Sequence, residues 1–259
     1  MAASRCVVVR GLSLSIDEPA GASTGDLAPE ELLKDGTGVG QLWEGATHLL
    51  CDYLEAQPSW LRDVGSIIEL GAGLGVPGML CASLGASSVT LTDYHPLVIA
   101  RLQTNVRAHP NIAARCTVEE VAWGSGCGSK RHRLLLGADL AISERAAVLL
   151  AETVHARVAQ GGVFIYAHHE RRAVMRGHDG NICLEPTDSG LDVFVGALRP
   201  LHCRELHSRP SAEHGRLRLL AFGQALTLAM LPSWCEAASA DGVESSSIYG
   251  VACKMQRCT

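Results

Sequence analysis

The 259-residue chain is 47% hydrophobic and 19% charged, a composition that builds a core and excludes a disordered or fibrous polypeptide. Its 22 Lys and Arg stand against 27 Asp and Glu, a net charge of −5, so there is no basic surplus to neutralise a nucleic-acid backbone. The longest apolar stretch, Leu217 to Leu231, is broken by Arg218, Gly223, Gln224 and Thr227 and falls short of the roughly 18 apolar residues of a membrane helix. The start, MAASRCVVVRG, has too short an apolar run for a secretory signal, and the expected location is cytoplasmic, extending to the nucleus.

Residues 6–16, CVVVRGLSLSI, are β-branched and apolar around Gly11 and predict an N-terminal β-hairpin. The following DEPAGASTGDLAPEELLKDGTGVG has the composition of an exposed connector. From Leu42, the positions Leu42, Ala46, Leu49, Leu50, Tyr53 and Leu54 recur at helical spacing until Pro58, predicting a helix over 42–56. Strands and helices then alternate: strand 66–70, helix 76–84, strand 88–92, helix 96–108, strands 114–122 and 134–142, helix 144–159, and strand 163–168 after Gly161-Gly162. Strands joined through helices need crossover connections, which give a doubly wound, mostly parallel sheet with helices on both faces.

The rhythm changes in the last third. A helix at 191–198 starts behind a cap at Asp188 or Ser189. Strands 201–207 and 216–222 follow, joined by SRPSAEHG, a turn short enough to make them antiparallel neighbours. The organisation expected is residues 1–41 as hairpin and connector of the same unit, 42–225 as the main domain, and 226–259 as an extension with one strand signal at 248–253.

The ten cysteines include no Cys-x-x-Cys pair, so neither a zinc knuckle nor a redox motif is present. Cys6, Cys81 and Cys183 lie in apolar runs and read as reduced, buried thiols. His168 and His169 are adjacent and point to opposite faces of a strand; no metal site is expected.

The sharpest signal is Glu69-Leu70-Gly71-Ala72-Gly73-Leu74-Gly75 between a strand and a helix. Glycines let the backbone turn tightly and approach a ligand, and the next helix offers free amides at its positive end. The spacing G-x-G-x-G is not the G-x-G-x-x-G of a dinucleotide fold. Asp93 ends the next strand, about twenty residues beyond the glycines, where a carboxylate can accept both hydroxyls of a ribose. Alternatively, Asp93 caps the helix that begins near Pro96.

The segments EGATHLL after Gln41-Leu42-Trp43, IIELGAGLGVPG, TLTDYHPLVIARLQTNV, VAWG and LLLGADLAIS resemble, in order and spacing, the seven-strand S-adenosylmethionine-dependent methyltransferases. The subgroup most similar modifies lysines of non-histone proteins. The resemblance covers about residues 6–225 and implies a Rossmann-like class I fold with an antiparallel C-terminal strand. It also implies S-adenosylmethionine as cofactor and a protein substrate, with no nucleic-acid or membrane partner, acting as a monomer.

Position by position, the resemblance places Trp43 over the methionine end of the cofactor and Glu69, Gly71, Ala72, Gly73 and Gly75 around its amino-acid part. Asp93, with Tyr94 beside it, holds the ribose, Trp123 lines the adenine, and Ala138 touches the cofactor through its backbone. Asp139 faces the reaction zone and orients the acceptor amine, the catalytic assignment. Two positions depart from the family pattern: Ile142 stands where an aromatic walls the substrate channel, and Ala122 where an acid precedes the tryptophan.

Three alternatives accompany this reading. The same fold serves protein-histidine and small-molecule methylation, and Ile142 favours a non-catalytic module that keeps the cofactor pocket as a scaffold. Glu170-Arg171-Arg172 reads as a solvated charged loop, or with RRAVMRGHDGN as a recognition segment for an acidic target.

Overall fold

A computed structural model describes residues 4–17, 44–124, 126–172, 174–176, 182–184, 187–211 and 215–234. The expected connector, Trp43 and the strand signal at 248–253 lie outside these residues.

The hairpin forms from β1 (Ser4–Val9) and β2 (Leu12–Asp17), paired antiparallel from Val9 and Leu12 outward. Arg10 and Gly11 make the turn with φ of 52° and 74°, the left-handed pair that matches the twist of two strands joined by two residues. The Arg10 guanidinium reaches Asp52 and Glu55, one turn apart on α1 (Glu44–Glu55), and ties the hairpin to the domain.

After α1 come α2 (Pro58–Asp63), β3 (Ser66–Glu69), α3 (Val76–Ser83), β4 (Ser88–Asp93), α4 (Pro96–Arg107), α5 (Pro110–Ala113) and β5 (Cys116–Glu120). The chain then crosses back to β6 (His132–Ala138), α6 (Glu144–Arg157) and β7 (Val158–His169). A short pair, β8 (Val174–Arg176) and β9 (Ile182–Leu184), precedes α7 (Ser189–Ala197), β10 (His202–Pro210), β11 (Arg216–Gly223) and α8 (Ala225–Ala229).

The main sheet has seven strands in the order β10-β11-β7-β6-β3-β4-β5. β7, β6, β3, β4 and β5 run parallel, and β11 is antiparallel to both β7 and β10. Because the chain leaves β3 towards β4 and later returns to β6 on the other side, the order reverses between β3 and β6. The carboxyl ends of strands at such a reversal are the place where doubly wound sheets bind ligands.

Alternation along the strands feeds two cores, one on each face. Ile67, Leu134, Leu136 and Ile165 face the core shared with α1 and α3, while Ile68, Leu135, Phe164 and Tyr166 face that shared with α6 and α7. Leu228 and Leu231 join the first core, so residues beyond β11 pack on the same unit. Among the described residues, no helix is long and apolar enough to cross a membrane.

Several boundaries differ from the sequence reading. α6 stops at Arg157 and β7 starts at Val158. Gly161, with φ of 68°, sits where the register against β6 slips from His132–Val158 to Leu134–Val163, so the glycine pair forms a bulge inside the strand. β6 ends at Ala138, short of Ile142, because Asp139 adopts φ of 60° and leaves the extended region. Asp188 is the residue that caps α7, accepting the Leu191 amide at 2.9 Å.

Candidate functional site

β3 leads into a bend held by backbone bonds from Leu70 N to Leu136 O (2.9 Å), Ala72 N to Thr92 O (2.7 Å) and Gly75 N to Ala72 O (2.7 Å). Gly71 and Gly73 take φ of 58° and 54°, a region open to glycine at little cost. They differ in surroundings. A Cβ on Gly71 would lie 2.7 Å from Leu140 Cδ2 and 3.2 Å from Trp123 Cζ2, whereas one on Gly73 would meet nothing within 4 Å among the described residues. Gly71 therefore packs tightly, and Gly73 borders open space. Gly75 is the residue preceding α3 and lies against Leu102.

Asp93, at the end of β4, fastens to this bend. Its Oδ2 accepts the Gly73 amide at 3.2 Å and its Oδ1 those of Tyr94 (2.8 Å) and His95 (3.2 Å). Burial raises its pKa above the usual carboxylate range, against the pull of these three amides. It does not cap α4: His95 does, accepting the Leu97 amide on Nδ1 at 3.3 Å. Tyr94 is half exposed.

Glu69 lies beneath the bend. It is 2% exposed, its Oε2 accepts the Gly78 amide of α3 at 2.9 Å, and burial pushes its pKa up to about 8 despite that bond. Thr92 donates to the Glu69 carbonyl (2.7 Å) and Asn105 Nδ2 to the Leu74 carbonyl (3.2 Å). These two buried polar residues anchor the bend and were not singled out from the sequence. Trp123 is half-buried beside Gly71. Ala138, also half-buried, ends β6 opposite Ala167. Ala122 is exposed.

Next to Ala138, the Asp139 carboxylate is almost fully buried. Arg171 grips it with both terminal nitrogens, Nη1 to Oδ1 at 2.7 Å and Nη2 to Oδ2, and the His169 amide adds a bond at 3.3 Å. α6 is capped by Ser143, whose Oγ accepts the Ala146 amide at 3.2 Å, so Asp139 does not serve that helix. Of the expected solvated run Glu170-Arg171-Arg172, Arg171 is thus drawn into the site, while Glu170 stands between Arg172 (3.6 Å) and Arg218 (3.8 Å).

A buried chain of polar groups supports this pair. The Tyr166 hydroxyl accepts the amides of Leu140 (3.1 Å) and Ala141 (2.9 Å), so its own hydrogen is left to point at His168 Nδ1, 2.9 Å away. His168 then carries its proton on Nε2 and donates to Asp188 Oδ2 at 2.9 Å. Asp188 also accepts the Arg171 amide at 2.6 Å and caps α7. Burial would raise the Asp188 pKa, but the bonds from His168, Arg171 and Leu191 hold it below its ordinary value. Burial and the Asp139 charge push the Tyr166 phenol upward, and Asp139 keeps the Arg171 guanidinium above its usual value despite burial.

The residues present fit an adenosyl amino-acid cofactor. Gly73 leaves room where a side chain would stand, Asp93 supplies acceptors at the end of β4, and Trp123 offers an indole beside the bend. Trp43 falls outside the described residues.

The sheet order and the bend define the class I methyltransferase fold. Solved structures of this fold include a glycopeptide N-methyltransferase MtfA complexed with S-adenosyl-L-methionine (17% identity, TM-score 0.50, covering 71% of this chain and 96% of that one). Another is a ribosomal protein L11 methylase from Lactobacillus delbrueckii subsp. bulgaricus (15% identity, TM-score 0.51, covering 69% and 78%).

Residues 24–178 match the lysine methyltransferase family, and the chain belongs to it. Mouse EEF1A lysine methyltransferase 3 is 35% identical over 164 residues, 62% of this chain and 62% of that protein. Mouse protein N-lysine methyltransferase METTL21A is 34% identical over 131 residues, 49% and 58%. The fission yeast Schizosaccharomyces pombe protein N-terminal and lysine N-methyltransferase efm7 is 35% identical over 104 residues, 38% and 40%. The chain thus spans less than two thirds of the length of these curated relatives.

Proposed function

We propose that this protein transfers a methyl group from S-adenosylmethionine to the ε-amine of a lysine on a protein substrate. The observation that carries the reading is the joining of Asp93 to the Gly73 amide at 3.2 Å across a bend whose open side is Gly73. Such a cofactor would lie with its amino-acid part along Gly71–Gly73, its ribose on Asp93 and its adenine near Trp123. Bound there, it supplies an electrophilic methyl group whose carbon–sulfur bond breaks as the amine nitrogen bonds to carbon, the electron pair leaving on sulfur. The protein's share is to align the acceptor and exclude water. A free lysine, with a pKa near 10.4, must also shed a proton, at a cost of roughly 4 to 5 kcal/mol at neutral pH.

Family membership supports lysine over histidine or a small molecule as acceptor. The net charge of −5 supports a partner other than nucleic acid, and the free thiols Cys51, Cys81 and Cys127, all buried, support a reducing, cytoplasmic location. A monomer is part of the same reading.

Calorimetry with S-adenosylmethionine and S-adenosylhomocysteine tests the cofactor, with Asp93→Ala expected to weaken binding at least tenfold. Tritiated cofactor with a cell extract, followed by amino-acid analysis, tests the acceptor. Methyl-histidine in place of methyl-lysine overturns the acceptor, and absence of binding overturns the whole reading.

A scaffold without catalysis has one observation in its favour. Ile142 replaces the aromatic of the family pattern and Asp139 is closed off by Arg171. It predicts cofactor binding with no S-adenosylhomocysteine formed in any extract.

A further inference from the structure

Asp139, expected to meet the acceptor amine, does not present a bare carboxylate. Its side chain is 3% exposed, while that of Arg171 is 32% exposed, so the charged group that reaches solvent at this corner is the guanidinium. The pair is bidentate, the geometry that fixes both direction and distance between an arginine and a carboxylate.

Arg171 is also held from behind. Its amide is bonded to Asp188, and its Nη1 donates to the His169 carbonyl at 3.2 Å. Asp188 in turn is fixed by His168 and by capping α7, and His168 by Tyr166, whose hydroxyl pins the amides just past Asp139. Both members of the pair are thus oriented by one buried chain of hydrogen bonds starting in β7. Neighbouring charges are already answered: Asp188 by three N–H donors, and Glu170 by Arg172 and Arg218. Among the described residues, with His168 Nδ1 4.0 Å from Asp139 and taken up by the Tyr166 hydroxyl, the local balance at the carboxyl end of β6 is set chiefly by Asp139 and Arg171 together.

We infer that Arg171 is a positioning residue for the acceptor, holding Asp139 as a charge-compensated pair so that the incoming lysine is received as the neutral amine. This rests on the methyl-transfer reading given above. An uncompensated carboxylate would stabilise the ammonium, which has no lone pair for attack. With Arg171 in place that stabilisation is cancelled, and the carboxylate is kept in one orientation while the proton passes to water.

The test needs no identified substrate. Sinefungin carries an ammonium-bearing carbon where the cofactor has its methylated sulfur, whereas S-adenosylhomocysteine has neither, so the ratio of their affinities reports the charge beside the transferred group. Calorimetry on the 259-residue chain would compare the wild type with Arg171→Met and Asp139→Asn. Arg171→Met is expected to raise the preference for sinefungin and Asp139→Asn to lower it, each by about tenfold, the scale of one unit charge in a partly screened site.

A purely structural role would weaken both ligands alike and leave the ratio unchanged; a ratio within twofold of wild type in the folded variants overturns the inference. If Arg171→Met does not fold, the isosteric Asp139→Asn carries the same comparison in the opposite direction. A wild type that binds neither ligand overturns the cofactor reading itself. One that binds both, with ratios that do not move, overturns the role of Arg171 alone.

Discussion

The carboxylate of Glu69 accepts the amide of Gly78 at 2.9 Å from directly beneath the glycine bend, and a Cβ on Gly78 would stand 2.7 Å from the same oxygen. The close approach of helix to strand requires a residue without a side chain. The same burial makes ionisation of Glu69 costly.

With its pKa raised from 4.5 to about 8, Glu69 keeps its proton in the folded protein at pH values where the unfolded chain releases it. Its contribution to stability is full below pH 4.5 and is lost as pH rises through about 8. Glu69→Gln keeps an acceptor for Gly78 and cannot ionise. Urea unfolding should show it flattening the stability slope between about pH 5.5 and 8.5 by on the order of 2 kcal/mol.

His132 has the opposite sign. It is 1% exposed, neither ring nitrogen has a hydrogen-bond partner among the described residues, and burial together with the charges of Arg157 and Lys130 lowers its pKa from 6.5 to about 4. The folded state must hold it neutral where the unfolded chain would protonate it. Its contribution is therefore present above pH 6.5 and is lost as pH falls towards about 4. His132→Leu should be more stable than wild type at about pH 5 by on the order of 1 to 3 kcal/mol and should shift the acid-unfolding midpoint downward.

The two left-handed glycines of the bend, Gly71 and Gly73, separate packing from ligand access. Gly71→Ala forces a left-handed alanine into Leu140 and Trp123 and should cost about 2 kcal/mol or more, read as a lowered urea midpoint. Gly73→Ala meets no atom of the described residues within 4 Å and should cost only about 1 kcal/mol, from backbone strain. Its methyl group enters the open space above the bend, so its larger effect should be weaker S-adenosylhomocysteine binding in calorimetry.

Tyr166→Phe strips the partner from the Leu140 and Ala141 amides and the donor from His168 Nδ1. Leaving buried polar groups unpaired costs about 1 to 3 kcal/mol. Amide exchange should speed up at Leu140 and Ala141 first, ahead of the β6 interior.

The bend and Asp93 were legible in the sequence because their signals are local: glycine spacing after an apolar strand, and an acid at the end of the next one. Five parallel or crossover-linked strands followed from the same alternation. Arg171 was not legible as a partner of Asp139, because the two are 32 residues apart and meet only once β6 and β7 lie side by side. Tyr166 and His168 carried one signal, their shared face on a strand, but nothing local pointed to Asp188 as the group between His168 and Arg171. The start of β7 was read at 163 instead of Val158 because Gly161-Gly162 interrupts the apolar pattern, whereas pairing with β6 absorbs the two glycines as a bulge. α2, α5 and α8 run for six residues or fewer, too short to display a helical period.

The outermost strands bear on how the protein behaves when crowded. β5 ends in Glu119-Glu120, and β10 carries Arg204, Glu205 and Arg209, closes on Pro210 and is kinked between Glu205 and His207. Charge, proline and irregular register at an open margin all oppose recruitment of a foreign strand. The sheet is thereby discouraged from growing sideways into aggregates, a safeguard built into both of its margins.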